Sequence, residues 1–318
     1  MSNLRIALTT GDVDGIGFEV TAKALHKIGP QKGVQFILWR AEGASPKYLK
    51  LIDQKFTRIV VDSLEEALKI EGPYLLDIAS DLSPAKWVEI TAKACYQKKL
   101  DGMATAPLSK TSIIESGMKD LGHTDILKRI SKTRNVHMSF IGNKFNVVLA
   151  TGHLPIANIT KHISFSVVAQ ALLHANVLRE NLPTAQKKKP IAVLGLNPHA
   201  GEQGLIGNEE LLIFDNLHSF AKEKKIPIEG PLVPDAAFFP VNWKKYSVYV
   251  ALYHDQGLIP FKMIHGQDSG VHISLGIPFV RTSVDHGTAK DIFGKNVANP
   301  SSMIDAIRWA IKLARHSS

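Results

Sequence analysis

Three histidines stand where an apolar run breaks into a turn rich in Pro or Gly: Thr151-Gly-His153-Leu-Pro155, Asn197-Pro-His199-Ala-Gly201-Glu202 and Tyr253-His254-Asp255-Gln-Gly257. Neutral imidazoles delivered to the ends of rigid strands are ligands for a divalent cation. Asp255 and Glu202 lie beside them and could orient the rings through the second nitrogen. A cation held this way is a Lewis acid that lowers the pKa of a bound hydroxyl. A single loop histidine is more often a surface group, and the chain has 13 of them, so the weight rests on the context that these three share.

Two cations accompany the histidines. Lys262 follows the third loop, and Arg281 lies in Pro278-Phe-Val-Arg281-Thr-Ser-Val-Asp285-His286-Gly287, directly after an apolar run. An arginine at a strand end suits bidentate capture of carboxylate or phosphate. Small and polar residues from Asn197 to Glu210 precede a helix start, where free N–H groups favour anions. His beside Asp is also the pairing of general acid–base work, or of a Ser-His-Asp triad. No Gly-x-Ser-x-Gly elbow supplies the nucleophile, which argues against a hydrolase of that kind.

The opening loop, Thr9-Thr-Gly11-Asp12-Val-Asp14-Gly15-Ile-Gly17, is glycine-rich but lacks the Lys-Ser/Thr of a phosphate-binding P-loop. Its glycine spacing also departs from the dinucleotide fingerprint, and its two acids would repel phosphate. We read it as a tight strand-to-helix turn in which glycine supplies positive φ.

The elements that must carry these loops alternate between strand and helix. The pattern predicts strands over Leu4–Thr9, Val34–Trp39, Thr57–Val61 and Met103–Ala106. It predicts helices over Phe18–Ile28, Pro46–Ile52, Ser63–Ile70 and Pro84–Lys99, the last with Trp87, Ile90, Ala94 and Cys95 on one stripe. Later helices are expected at Ser164–Asn181, Asn208–Lys225 and Ser301–His316, and the histidine-bearing strands at Asn146–Ala150, Ile191–Leu196 and Val248–Leu252. Such alternation implies an α/β protein with a largely parallel sheet. Val136–Ile141 and Phe145–Ala150 flank Gly142-Asn143, a hairpin signal that implies one antiparallel pair. The expected division is a first α/β domain of 1–130 plus 286–318 and a second of 131–285.

Composition narrows the class. The 318 residues, 45% hydrophobic and 21% charged, are ordinary for a globular protein of two domains, and no stretch reaches the ~18 apolar residues of a membrane span. The net charge of +9 is dispersed apart from Lys187-Lys188-Lys189, with no aromatic interleaving, so nucleic acid is not an expected partner and anionic small molecules are. The N-terminus lacks the apolar region of a signal peptide. Cys95 is the one cysteine, so a reducing cytoplasm is the expected compartment.

Several motifs in order, Gly122-His-Thr-Asp125, Ala150-Thr-Gly-His-Leu-Pro155, Gly195-Leu-Asn-Pro-His-Ala-Gly-Glu202, Tyr253-His-Asp-Gln-Gly257 and Arg281-Thr-Ser-Val-Asp-His-Gly-Thr-Ala289, resemble the PdxA family, the 4-hydroxythreonine-4-phosphate dehydrogenases of vitamin B6 biosynthesis. The resemblance covers nearly the whole chain. It implies two α/β/α domains flanking a cleft, as in isocitrate and isopropylmalate dehydrogenases. It implies a metal on His153, His199 and His254, drawn from both subunits of a homodimer with a shared active site. Zn2+ is the first choice for imidazole ligands, with Mg2+, Co2+ or Mn2+ as alternatives. It also implies substrate on His123, Thr124, Lys262, His272 and Arg281, catalytic roles for Asp255 and Lys262, and Asp235 close to the metal.

His286-Gly-Thr-Ala-Lys-Asp291-Ile-Phe-Gly294-Lys-Asn-Val-Ala-Asn299-Pro is similar to the adenosine-binding loop of isopropylmalate dehydrogenases. On that likeness His286 and Asn299 meet adenine and Asp291 the ribose, which favours NAD over NADP. The chain departs from the family pattern at Thr9-Thr-Gly11-Asp12, at Gly152 and at His272, which stands where the family has a substrate-contacting Asn. The implied reaction is a metal-dependent oxidation, with decarboxylation, of 4-phosphohydroxy-L-threonine. Alternatives within the family are phosphorylated threonate or erythronate and dihydrodiols. Those outside it are a metallohydrolase and a non-catalytic anion-binding protein.

Overall fold

The computed structural model describes residues 3–133, 135–266 and 269–317. Among these, the strands in chain order are β1 (Leu4–Thr9), β2 (Val34–Ala41), β3 (Arg58–Val61), β4 (Leu75–Ser80), β5 (Gly102–Thr105), β6 (His137–Ile141), β7 (Asn146–Leu149), β8 (Ile191–Leu194), β9 (Ile228–Leu232), β10 (Tyr249–Ala251), β11 (Val271–Leu275) and β12 (Val280–Val284). Contacts divide the chain into Met1–Val136 with Gln267–Ser318, and His137–Gly266.

In the first unit the strands lie in the order β3-β4-β2-β1-β5-β12-β11, all parallel except β11, which pairs antiparallel with β12. β1, β2 and β4 are buried almost throughout, which is why they read as near-continuous apolar runs rather than alternating ones. The expected strands and helices of this half are present within a few residues of their expected ends. β4 is an addition to the elements expected. Its apolar run is interrupted by Asp77, fully buried and held by Arg40 from β2 at 2.8 Å and by Arg58 from β3 at 2.6 Å.

The helix Pro84–Tyr96 is started by Ser83, whose Oγ accepts the Lys86 N–H, and by Pro84 at its first position. It buries Trp87, Ala94 and Cys95 as expected, and Val88, Thr91 and Ala92 besides, while Ile90 is only half-buried. Burial pushes the Cys95 thiol far above its ordinary pKa, so it is an inert core group. The closing helix Ser301–Ser317 packs on β12, β5 and the helix Gly17–Ile28, so it does return to the first unit.

In the second unit the order is β6-β7-β10-β8-β9. β6 and β7 form the expected antiparallel hairpin, and β7, β10, β8 and β9 run parallel. The division of the chain differs from the expected one, with changeovers at His137 and Gln267 instead of 131 and 286. β12 inserts beside β5, pairing Arg281 with Met103, and β11 folds back on β12. His272 and Arg281 therefore belong to the first unit. Among the described residues no helix is long and apolar enough to cross a membrane.

Candidate active site

β7, β10 and β8 are adjacent and parallel, so the loops after them leave the same edge of the second unit's sheet, the carboxyl end where open α/β sheets bind ligands. These loops carry His153, His254 and His199 respectively. The His153 and His254 rings lie 5.0 Å apart between centroids. His254 Nδ1 is 2.7 Å from Asp255 Oδ1, which leaves Nε2 to face a ligand. With Tyr253, Gly152, Leu154, Ile156 and Ile159 they line a depression of about 320 Å³. The donor set fits a borderline-soft divalent cation, with two imidazoles side by side and a carboxylate behind one of them.

His199 is exposed, and among the described residues of one chain no group of three His, Cys, Asp or Glu side chains converges on a point. Its loop leaves the edge in a left-handed run, with positive φ at His199, Ala200, Gly201, Glu202 and Gln203. Non-glycine residues adopt this only where the surroundings hold them there. Here Glu210 does the holding: its Oε1 accepts Leu196 N and Asn197 N, both at 2.7 Å, and its Oε2 accepts Asn197 Nδ2 at 2.9 Å. Burial raises the Glu210 pKa, but these hydrogen bonds outweigh it and the carboxyl stays below its ordinary range. Gln256 ties two loops together, accepting Leu252 N and donating to Gly195 O, each at 2.7 Å. Glu210 and Gln256 carry no role in the sequence reading. An acid two residues into a helix that follows a glycine-rich loop was the available signal for the first.

Asp255 opens the helix His254–His265, and Lys262, seven residues on, lies two turns along the same face. Asp235 sits on the short helix Pro234–Ala237 and does not line the depression at His153 and His254.

The first unit holds a buried cation. Arg281 is 2% exposed and donates to His272 Nδ1 at 3.0 Å, Ser274 Oγ at 3.0 Å and Thr105 Oγ1 at 2.8 Å. Among the described residues its Nε has no partner and no carboxylate pairs with it. Burial drives its pKa down to about 9. Because arginine only donates, His272 Nδ1 must accept, which fixes His272 as the neutral Nε2–H tautomer. Thr9, Thr105, Ser283 and His272 stand in register across β1, β5, β12 and β11, a polar row on a buried sheet. Burial, and secondarily the Arg281 charge, hold His123 well below its ordinary pKa, so it is a neutral imidazole. His123 and Thr124 begin the helix His123–Ser131, where the N-terminal N–H groups add to the positive field.

The opening loop is the turn expected. Gly11 has φ +69°, and a Cβ there would stand 2.0 Å from Pro107 O. Buried Asp12 accepts Ser109 N through both carboxylate oxygens at 3.2 Å, fixing the loop after β5. The loop 286–299 is clipped at both ends. Ile16 N donates to Thr288 O at 3.0 Å, and Lys290 Nζ reaches Asp14 at 2.7 Å. Buried Glu19 accepts Ala298 N at 2.8 Å while bonded to Lys23 and Tyr48. His286 Nδ1 donates to Gly287 O, and its buried Nε2 is an acceptor with no partner among the described residues. Asp291 and Asn299 are exposed on this loop. Beside it a cavity of about 390 Å³ is lined by Gly11, Phe18, Tyr48, Trp87 and Phe293.

Comparison with known proteins gives the family and the fold. A 4-hydroxythreonine-4-phosphate dehydrogenase of Sulfurihydrogenibium is 37% identical over 98% of this chain and 99% of its own. A D-threonate 4-phosphate dehydrogenase of Cupriavidus necator is 32% identical over 97% of both. The crystal structure of 4-hydroxythreonine-4-phosphate dehydrogenase from Klebsiella pneumoniae superposes with a TM-score of 0.77 at 28% identity, covering 99% of this chain and 98% of that one. The isocitrate dehydrogenase of Methylococcus capsulatus shares the mixed α/β fold, with a TM-score of 0.52 at 13% identity over 98% of this chain and 88% of that one. The family model described as pyridoxal phosphate biosynthetic protein PdxA matches residues 54–310, and the chain belongs to that family.

Proposed function

We propose that the chain is a nicotinamide-dependent dehydrogenase that oxidises 4-hydroxythreonine 4-phosphate on the route to pyridoxal phosphate, with NAD preferred to NADP. The observation that carries this reading is Arg281. A guanidinium buried among hydroxyls and imidazole, with no carboxylate partner among the described residues, calls for an anionic ligand, and a phosphorylated hydroxy acid supplies one. Neutral His123 and the helix start at His123-Thr124 contribute donors without adding a charge to be neutralised. His272 and Lys262 are the remaining groups read as meeting the substrate.

His153 and His254 would hold a divalent cation, zinc first among Zn2+, Mg2+, Co2+ and Mn2+, with Asp255 orienting His254. Bound there, the cation would supply Lewis acidity to the substrate hydroxyl, and a bound dinucleotide would supply the hydride acceptor. Asp255, or a water it orients, takes the hydroxyl proton. The alcohol thereby loses a proton and a hydride, and becomes the ketone of a β-keto acid that then releases CO2. Asp291 accepts from the ribose 2′-hydroxyl, which a 2′-phosphate cannot satisfy.

The third imidazole comes from a second copy in this reading. Large apolar side chains lie exposed around the histidine loops, among them Leu205 at 85%, Ile156 at 79%, Met263 at 77% and Leu212 at 72%. Exposed apolar side chains of this size suit a face that a partner covers. A homodimer would bring His199 of one copy toward the His153–His254 pair of the other. Sedimentation should show a dimer that Leu212→Glu dissociates.

The identity to the D-threonate 4-phosphate dehydrogenase favours one further reading, in which the substrate is a phosphorylated sugar acid. NADH formation is to be followed from 4-phosphohydroxy-L-threonine, phosphothreonate and phosphoerythronate, before and after chelation and with zinc restored. Turnover of the first substrate, lost on chelation and in His199→Ala, is the expected result. Activity indifferent to both removes the cation from the reaction, and product formed without NAD makes the chain a hydrolase.

A further inference from the structure

We propose that Asp14, in the opening loop, is a specificity-determining residue for the dinucleotide: by holding Lys290 it keeps that ammonium from recruiting a 2′-phosphate. The inference rests on the reading that residues 286–299 receive the adenosine. Lys290 immediately precedes Asp291, the residue assigned to the ribose, in the short turn Lys290–Ile292. A lysine at this point is an unexpected companion for a carboxylate that should exclude phosphate, since its long stem lets the ammonium sweep over the same ground. The structure shows where it goes instead. Lys290 Nζ lies 2.7 Å from Asp14 Oδ2 and 3.6 Å from Asp12 Oδ2.

The two acids are not equivalent. Asp12 is buried, with both oxygens engaged by Ser109 N, so its charge is fixed and already serves the loop after β5. Asp14 is exposed, and its carboxylate is engaged by Lys290. The opening loop cannot drift from Lys290, because Ile16 N is bonded to Thr288 O two residues away and Gly15 packs closely enough that a Cβ would meet that same oxygen at 3.0 Å. Two carboxylates, Asp12 and Asp14, thus hold one ammonium, and Asp291 follows it directly in the chain. The two carboxylates make the local field negative and commit the Lys290 ammonium. A 2′-hydroxyl donor is welcome there and a phosphate dianion is repelled. Removing the Asp14 charge lowers the repulsion and frees Lys290 at once, while Asp291 stays to serve NAD.

The test measures dissociation constants for NADH and NADPH by quenching of protein fluorescence, in wild type, Asp14→Asn, Lys290→Met and the double variant, each checked for native melting. Wild type should prefer NADH. Asp14→Asn should tighten NADPH by about tenfold, the worth of one charge-assisted contact at an open site, with NADH altered less than twofold. The double variant should lose that gain. NADPH affinity unchanged in Asp14→Asn, or a gain that survives without Lys290, overturns the proposal. Wild type that prefers NADPH also overturns it. Wild type that binds neither dinucleotide removes the reading of the 286–299 loop, and this inference with it.

Discussion

Replacing Arg281 by methionine should stabilise the protein and disable it. Burial without a carboxylate partner lowers the Arg281 pKa to about 9, which corresponds to about 4–5 kcal/mol of folding free energy forgone to keep the charge in place. The hydrogen bonds to Thr105, Ser274 and His272 offset part of that, and both hydroxyls can reorient once the guanidinium is gone. A methionine of similar length should therefore gain roughly 1–4 kcal/mol at neutral pH, seen as a rise in melting temperature of roughly 3–10 °C.

Substrate binding moves the other way. Losing the charge-assisted contacts to an anion should cost about 3–4 kcal/mol, a drop in kcat/KM of roughly 150- to 1000-fold. Inorganic phosphate should raise the melting temperature of wild type and leave that of Arg281→Met unmoved. The assays are differential scanning fluorimetry and steady-state NADH formation. A variant that melts lower than wild type at pH 7, or keeps kcat/KM within tenfold, refutes the argument that this cation is held for a ligand.

Asp255→Asn should weaken zinc binding by about 10- to 100-fold in calorimetry, because the neutral amide orients His254 less strongly, and a change below threefold would leave the aspartate without that role. Glu19→Gln should loosen the 286–299 loop at Ala298, raising KM for NAD by about tenfold while kcat stays within twofold. Equal losses in both parameters would mean that Glu19 acts on the chemistry instead. Glu89 is buried, which raises its pKa, yet hydrogen bonds from Lys86, Arg129 and Lys93 bring it down to about 2. With its folded pKa depressed, it contributes stability at pH 7 that is lost as pH falls from about 4.5 toward about 2. After screening of its exposed partners this is about 1–2 kcal/mol. Glu89→Gln should therefore flatten acid unfolding in that window.

The local chemistry of this chain is readable in its residues. Alternating apolar runs and caps define most strands and helices, and the histidine, glycine and arginine motifs mark loops at strand ends, because those signals depend on spacing within a few residues. β4 was not among the expected strands: its apolar run is interrupted by Asp77, a buried charge that only Arg40 and Arg58 from neighbouring strands make tenable. Long-range pairing is decided only by the folded chain. β12 beside β5 moved His272 and Arg281 into the first unit, and the absence of an acid near Arg281 among the described residues is a property of packing that no motif records. The three histidines illustrate both sides. Their place at strand ends was evident from the sequence. That two of them meet within one chain while a left-handed run turns the third outward depended on strand order and on the grip of Glu210.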